Sequence, residues 1–100
     1  MARFDVHRVT GLASPVVDIQ ADVLRDLRTR IVIPLARADE QAREAANRLR
    51  PKLMVAGTAY ILNTPEMAAI ACSTLEEPIA SLQDQHHAIV DAVDFLMQGF

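Results

Sequence analysis

Three histidines, one cysteine and a cluster of arginines are the side chains here that could do chemistry. His86 and His87 are neighbours, and on a helix neighbours point about 100° apart. No Cys, Asp or Glu lies four residues after His86 to complete a metal pair. His87 and Asp91 are four apart and can pair on a helix surface. His7 alternates with Val6 and other apolar residues, so it faces away from them, and no nucleophile lies near it in sequence. Cys72 sits between Ala71 and Ser73, without the electropositive neighbours that activate a thiol, which makes it a core filler. A single cysteine forms neither an internal disulfide nor a thiolate cage. Glu76-Glu77 fits a solvated turn better than a ligand pair. Arg25, Arg28 and Arg30 form a basic cluster suited to an acidic peptide. These residues amount to no catalytic set, no metal site and no cofactor site.

One hundred residues make one domain with a single core. Hydrophobic residues are 51% and aromatics 4%, with no Trp, so Val, Ile, Leu, Met and Ala must build that core. The formal charge of -3 disfavours binding of nucleic acid by the chain alone. Residues Met1 to Asp5 carry no apolar signal region, and the apolar runs are far short of a membrane span. A soluble, cytoplasmic protein with no membrane contact is expected.

Phe4 and Val6 alternate with Arg3, Asp5 and His7 at the period of a half-buried strand. A break at Gly11 to Pro15 leads to a strand-like Val16 to Ala21 and a charged connection from Asp22 to Arg30. Arg30 to Leu35 is the most β-prone stretch, and Pro34 predicts an edge or a bend there. Local propensity favours helix from Ala36 to Arg50, ended by Pro51. Two short strands, around Leu53–Ala56 and Ala59–Leu62, flank a turn at Gly57. Asn63-Thr64-Pro65 makes another turn, Met67 to Leu75 another strand, and Glu76-Glu77-Pro78 punctuates it. Five or six strands are expected over residues 1–80, followed by one helix over 81–100.

That helix has the clearest pattern in the chain. Leu82, Ile89, Val90, Val93, Leu96, Met97 and Phe100 fall within about 120° of one another and predict one buried face, with His86 inside the arc. Asp84, His87, Asp91, Asp94 and Gln98 lie opposite, with Phe95 beside them. Ser81 and Asp84 suit the first turn, and Gly99 suits a left-handed C-terminal position.

Four features in order carry a resemblance: Asp18-Ile19-Gln20-Ala21-Asp22-Val23-Leu24, Arg30-Ile31-Val32-Ile33-Pro34-Leu35-Ala36, Thr64-Pro65-Glu66-Met67-Ala68, and a final helix with a penultimate glycine. Together they resemble the CcdB family of toxins, nearly end to end. The resemblance implies a mainly β fold, a small SH3-like antiparallel barrel with a C-terminal α-helix, forming a homodimer. It implies a toxin of a type II toxin–antitoxin module, of the kind that serves plasmid maintenance. Such a toxin is not an enzyme. It poisons the DNA gyrase A subunit, is neutralised by a cognate antitoxin, and meets operator DNA only through the antitoxin complex. It also implies a long irregular excursion over Ala36 to Arg50 in place of a helix.

In the family the target contact is made by a Trp-Gly-Ile ending with an Asn one turn earlier. The corresponding residues here are Asp94, Gln98, Gly99 and Phe100, so Gln replaces Trp. Asp91 shares their exposed face. Val23 and Leu24 match an apolar pair that the family places at its target surface, the alternative being a cap on the end of the barrel. Two other functions stay open: a retargeted or degenerate member that has lost gyrase poisoning because of Gln98, and an endoribonuclease like the MazF toxins, with Arg25, Arg28 and Arg30 as its phosphate groove.

Overall fold

A computed structural model of the chain describes residues 2–38 and 46–99. Strands β1 (Asp5–Val9), β2 (Val16–Asp18), β3 (Thr29–Arg37), β4 (Lys52–Val55), β5 (Thr58–Leu62), β6 (Ala68–Ala71) and β7 (Leu75–Ser81) precede helix α1 (His86–Gln98). They form one curled antiparallel sheet, a half-barrel ordered β4-β5-β3-β2-β1-β7, with β6 also on β3.

β3 is the hub. It pairs β2 along one side. Along the other its first half pairs β6, from Thr29↔Ala71 to Val32↔Ala68, and its second half pairs β5, from Leu35↔Leu62 to Arg37↔Tyr60. Pro34 sits at the changeover, where its carbonyl accepts from the Asn63 amide at 2.9 Å. A proline cannot return that bond, and here the ladder with β5 ends, so little is lost. β3 is therefore central, not an edge strand; Pro34 marks its change of partner.

Alternation sorts the side chains. Val6, Val17, Ile33, Leu35, Leu53, Val55 and Leu62 face the concave side with Phe4, and Leu82, Ile89 and Ala92 cover them. Full burial of one such side chain, Ile89, contributes about 1.5–3 kcal/mol. The opposite face of β1 to β3 is covered too, by a second cluster of Val9, Val16 and Val32 with Ile70 and Leu75. This explains why β2 is buried at all three positions.

Two tight features complete the frame. β4 and β5 are joined by Ala56-Gly57 with φ of 49° and 84°, the two-residue turn that the glycine predicts. The outer edge of β4 is met by Gln85, whose Oε1 accepts from the Met54 amide at 2.9 Å while its Nε2 donates to the Met54 carbonyl at 2.8 Å. A side-chain amide thus supplies the rung that another strand would supply, and it docks the start of α1.

Several expectations are corrected. Glu76-Glu77-Pro78 is not punctuation but the middle of β7, paired with β1 across register shifts. An edge strand tolerates a proline and exposed acids, and the shifts accommodate them. The run from Met67 to Leu75 is interrupted by a 3-10 turn at Cys72–Thr74. The helix starts at His86, not Ser81, and no side chain caps it; Ser81 ends β7, with its Oγ accepting from Gln83 N at 3.3 Å. Gly99 does take the left-handed position, at φ 77°. Over Ala36 to Arg50, Ala36 and Arg37 extend β3 and residues 47–50 form bends; residues 39–45 lie outside the described residues.

Candidate functional site

The segment from Ala21 to Arg28 is surface chain with a 3-10 turn at Asp22–Leu24, and buried polar groups fix its ends. The Asp18 carboxylate, with no exposure, accepts from Arg30 Nε at 2.8 Å and Nη2 at 2.5 Å, and from the Gln20 amide at 3.0 Å. Gln20 in turn accepts from the Ile31 amide at 3.2 Å and donates to the Leu24 carbonyl at 2.9 Å. Asp22 accepts from the Arg3 amide at 2.8 Å. The segment is thereby tied to the first residues of the chain, beside β1.

On this frame Val23 is 85% exposed and Leu24 48%, with Leu27 exposed beside them. They do not cap the barrel. The three form an apolar cluster that buried polar bonds hold in solvent. Arg30 is no part of a basic patch: its guanidinium is fully buried on Asp18, which removes one of three arginines from a phosphate groove.

The second surface is the far end of α1. Ile89 and Ala92 are buried and Val93 is half-buried, but Leu96 is 38% exposed and Met97 67%. The apolar arc is therefore buried only along its first part, because the last turn outruns the sheet. Asp94, Gln98 and Gly99 are exposed there, and Phe100 lies outside the described residues. Asp91 is not paired with His87. Arg48 holds it with Nε–Oδ2 at 2.9 Å and Nη2–Oδ1 at 3.0 Å, and lays its guanidinium 4.7 Å above the Phe95 ring. One arginine thus neutralises an acid and covers the aromatic of the outer helix face. Nothing in the sequence pointed to Arg48, which is 43 residues from Asp91.

The remaining reactive types have structural surroundings. His7 is fully buried, with Nδ1 donating to the Glu76 carbonyl at 2.7 Å. It does face away from Val6, but into the second covered face. Cys72 is half-buried and Sγ donates to the Leu27 carbonyl at 3.4 Å, so it lies outside the core. His86 meets the rings of Phe4 and His87 at a tilt, with centroid separations of 5.9 and 4.0 Å. Among the described residues no helix is long and apolar enough to cross a membrane.

No hydrogen bond among the described residues joins the Val23–Leu24 segment to α1, so these are two separate surfaces. Both carry apolar side chains in solvent, with acids and amides beside them on the helix. The family model described as CcdB protein matches residues 3–99, and it spans both surfaces and the sheet between them. With that match over nearly its whole length, this chain belongs to the CcdB family.

Proposed function

We propose that this protein is the toxin of a type II toxin–antitoxin pair, that it works by binding and not by catalysis, and that its target is the A subunit of DNA gyrase. In this reading it is one cytoplasmic toxin domain over residues 1–100 that forms a homodimer. The dimer presents two helix ends to the paired A subunits and traps the cleaved-DNA complex. Asp91, Asp94, Gln98, Gly99 and Phe100 on the helix, with Val23 and Leu24, form the contact. The cognate antitoxin binds the toxin and displaces it, and operator DNA is reached only through that complex.

The observation that carries the reading is Val23 and Leu24, exposed on a segment whose base is locked by Asp18, Arg30 and Gln20. Preorganised apolar contacts lose little on binding and supply most of the affinity of such interfaces. The test is supercoiling by purified gyrase with ATP and rising amounts of the dimer. Linear DNA released by detergent and protease supports the reading; unimpaired supercoiling with no linear product refutes it.

A second reading has its own observation. Gln98 and Asp94 stand exposed where the family has Trp and Asn. Gln lacks the area and π face of an aromatic anchor worth about 2 kcal/mol or more. A retargeted member, still held by its antitoxin, would bind a more basic surface than gyrase offers.

A further inference from the structure

The two ends of the sheet are finished in different ways. β7, at one end, carries Glu76, Glu77 and Pro78 and pairs β1 across two register shifts. Exposed acids, a proline and irregular pairing keep an edge strand from adding to another chain. β4, at the other end, reads Lys-Leu-Met-Val, with Leu53 and Val55 buried and Met54 47% exposed. It has no acid and no proline, and its register with β5 is regular from Lys52↔Ile61 to Val55↔Thr58. By composition it is the strand that a second chain would extend.

The main chain of β4 points the same way. In an antiparallel ladder successive residues turn their backbone groups to opposite sides. The Pro51 carbonyl accepts from the Leu62 amide at 3.0 Å on the β5 side, so Leu53 and Val55 face β5 as well. Met54 turns both its N–H and its C=O outward, and these are the groups that the Gln85 side chain holds at 2.9 and 2.8 Å. A residue with both groups on one side is what the centre of an antiparallel pair requires. Two copies of β4 related by a two-fold axis at Met54 would exchange two bonds there and set Leu53 of one copy opposite Val55 of the other.

Gln85 stands in the way of that pairing. It closes the 3-10 turn Gln83–Gln85, with its own amide bonded to the Leu82 carbonyl at 2.9 Å. It immediately precedes α1, which has no side-chain cap; the side chain at this position is turned to the strand. We propose that Gln85 is a guard on the β4 edge: its amide group reproduces both bonds of a neighbouring strand and so prevents β4 from pairing with β4 of a second copy. The pairing it blocks is additional to the homodimer described above and independent of the toxin reading. Among the described residues Met54 has no other hydrogen-bond partner on its outer side, so the loss of one side chain uncovers the edge.

The test is sedimentation velocity of the full chain over a range of concentrations. Gln85→Met keeps the length of the side chain without either bond, and Gln85→Ala is a second variant should Met disturb the wild-type circular dichroism spectrum. The folded variant is expected to self-associate at least tenfold more tightly than wild type, into species of twice the wild-type mass. Adding Met54→Pro removes the outward N–H while the bonds of Leu53 and Val55 to β5 stay, and should return the mass to that of wild type. Hydrogen exchange gives an independent reading at one atom. The Met54 amide should be protected in wild type at every concentration, and in the Gln85 variant only as the concentration rises. Any of three results would overturn the proposal: a variant with the wild-type mass throughout, association that Met54→Pro leaves unchanged, or a Met54 amide whose exchange in the variant ignores concentration.

Discussion

Arg30 places two of its nitrogens on a single oxygen of Asp18, leaving the other oxygen to the Gln20 amide, with both side chains fully buried. The pair is thus the foundation of the exposed segment that Gln20 ties down. Removing one partner strands the other's charge in a dry site, which costs about 3–5 kcal/mol. Asp18→Ala or Arg30→Met should each lower the unfolding free energy measured in urea by that order, and Asp18→Ala/Arg30→Met together by less than the sum. An additive double variant would mean that the two charges are not coupled.

Gln98→Trp should strengthen binding to the gyrase A subunit by roughly 30-fold, the equivalent of about 2 kcal/mol. The residue is exposed, so the melting temperature should barely move. Surface plasmon resonance on the immobilised A subunit reads this directly. An unchanged affinity would support the retargeted reading.

Arg48→Ala removes an exposed bidentate pair and the cover on Phe95 together. Exposed pairs contribute about 0.2–1 kcal/mol and cation–π contacts about 0.5–1 kcal/mol, so the expected loss of stability is no more than about 2 kcal/mol. The larger effect should fall on recognition, because the Asp91 carboxylate loses its compensating guanidinium and Phe95 loses its cover. A double-mutant cycle with Asp91→Asn isolates the pair, and salt should shrink its coupling.

Ala56 holds φ at 49° in the β4–β5 turn. The left-handed region costs an ordinary residue about 1–2 kcal/mol, while Asn adopts it more easily and favours this turn before Gly. Ala56→Asn should raise stability by about 1 kcal/mol without changing the fold, measurable by thermal unfolding at constant protein concentration. A destabilised variant would show that the methyl group makes a contact outweighing the strain.

Much of the sheet was legible because its rows obey simple periods. Val6, Ile33, Leu53 and Leu62 announce strands, and Gly57 announces their turn. What escaped has a physical cause in each case. β7 carries Glu76, Glu77 and Pro78 because it is an edge strand, so its composition resembles a turn. The buried positions of His7 and Arg30 look like surface positions in any alternation pattern; only the second cover over Val9, Val16 and Val32 makes them interior. The helix face was read correctly at Ile89, but its burial stops where the sheet stops, which a helical wheel does not contain. Val23 and Leu24 were recognisable as apolar residues in a charged stretch, whereas Arg48 reaches Asp91 and Phe95 through tertiary structure alone.

The pairing of β1 with β7 joins Asp5 to Ser81 and Val9 to Leu75. β1 therefore leaves the ribosome long before the strand that completes it. Until then β1 has no outer neighbour and α1 has not been made. Such long-range closure is slow and leaves strand edges unguarded. A chain of this topology gains its shape only after β7 has been translated, so the antitoxin proposed above, if already present, has the time between β1 and β7 in which to be waiting for it.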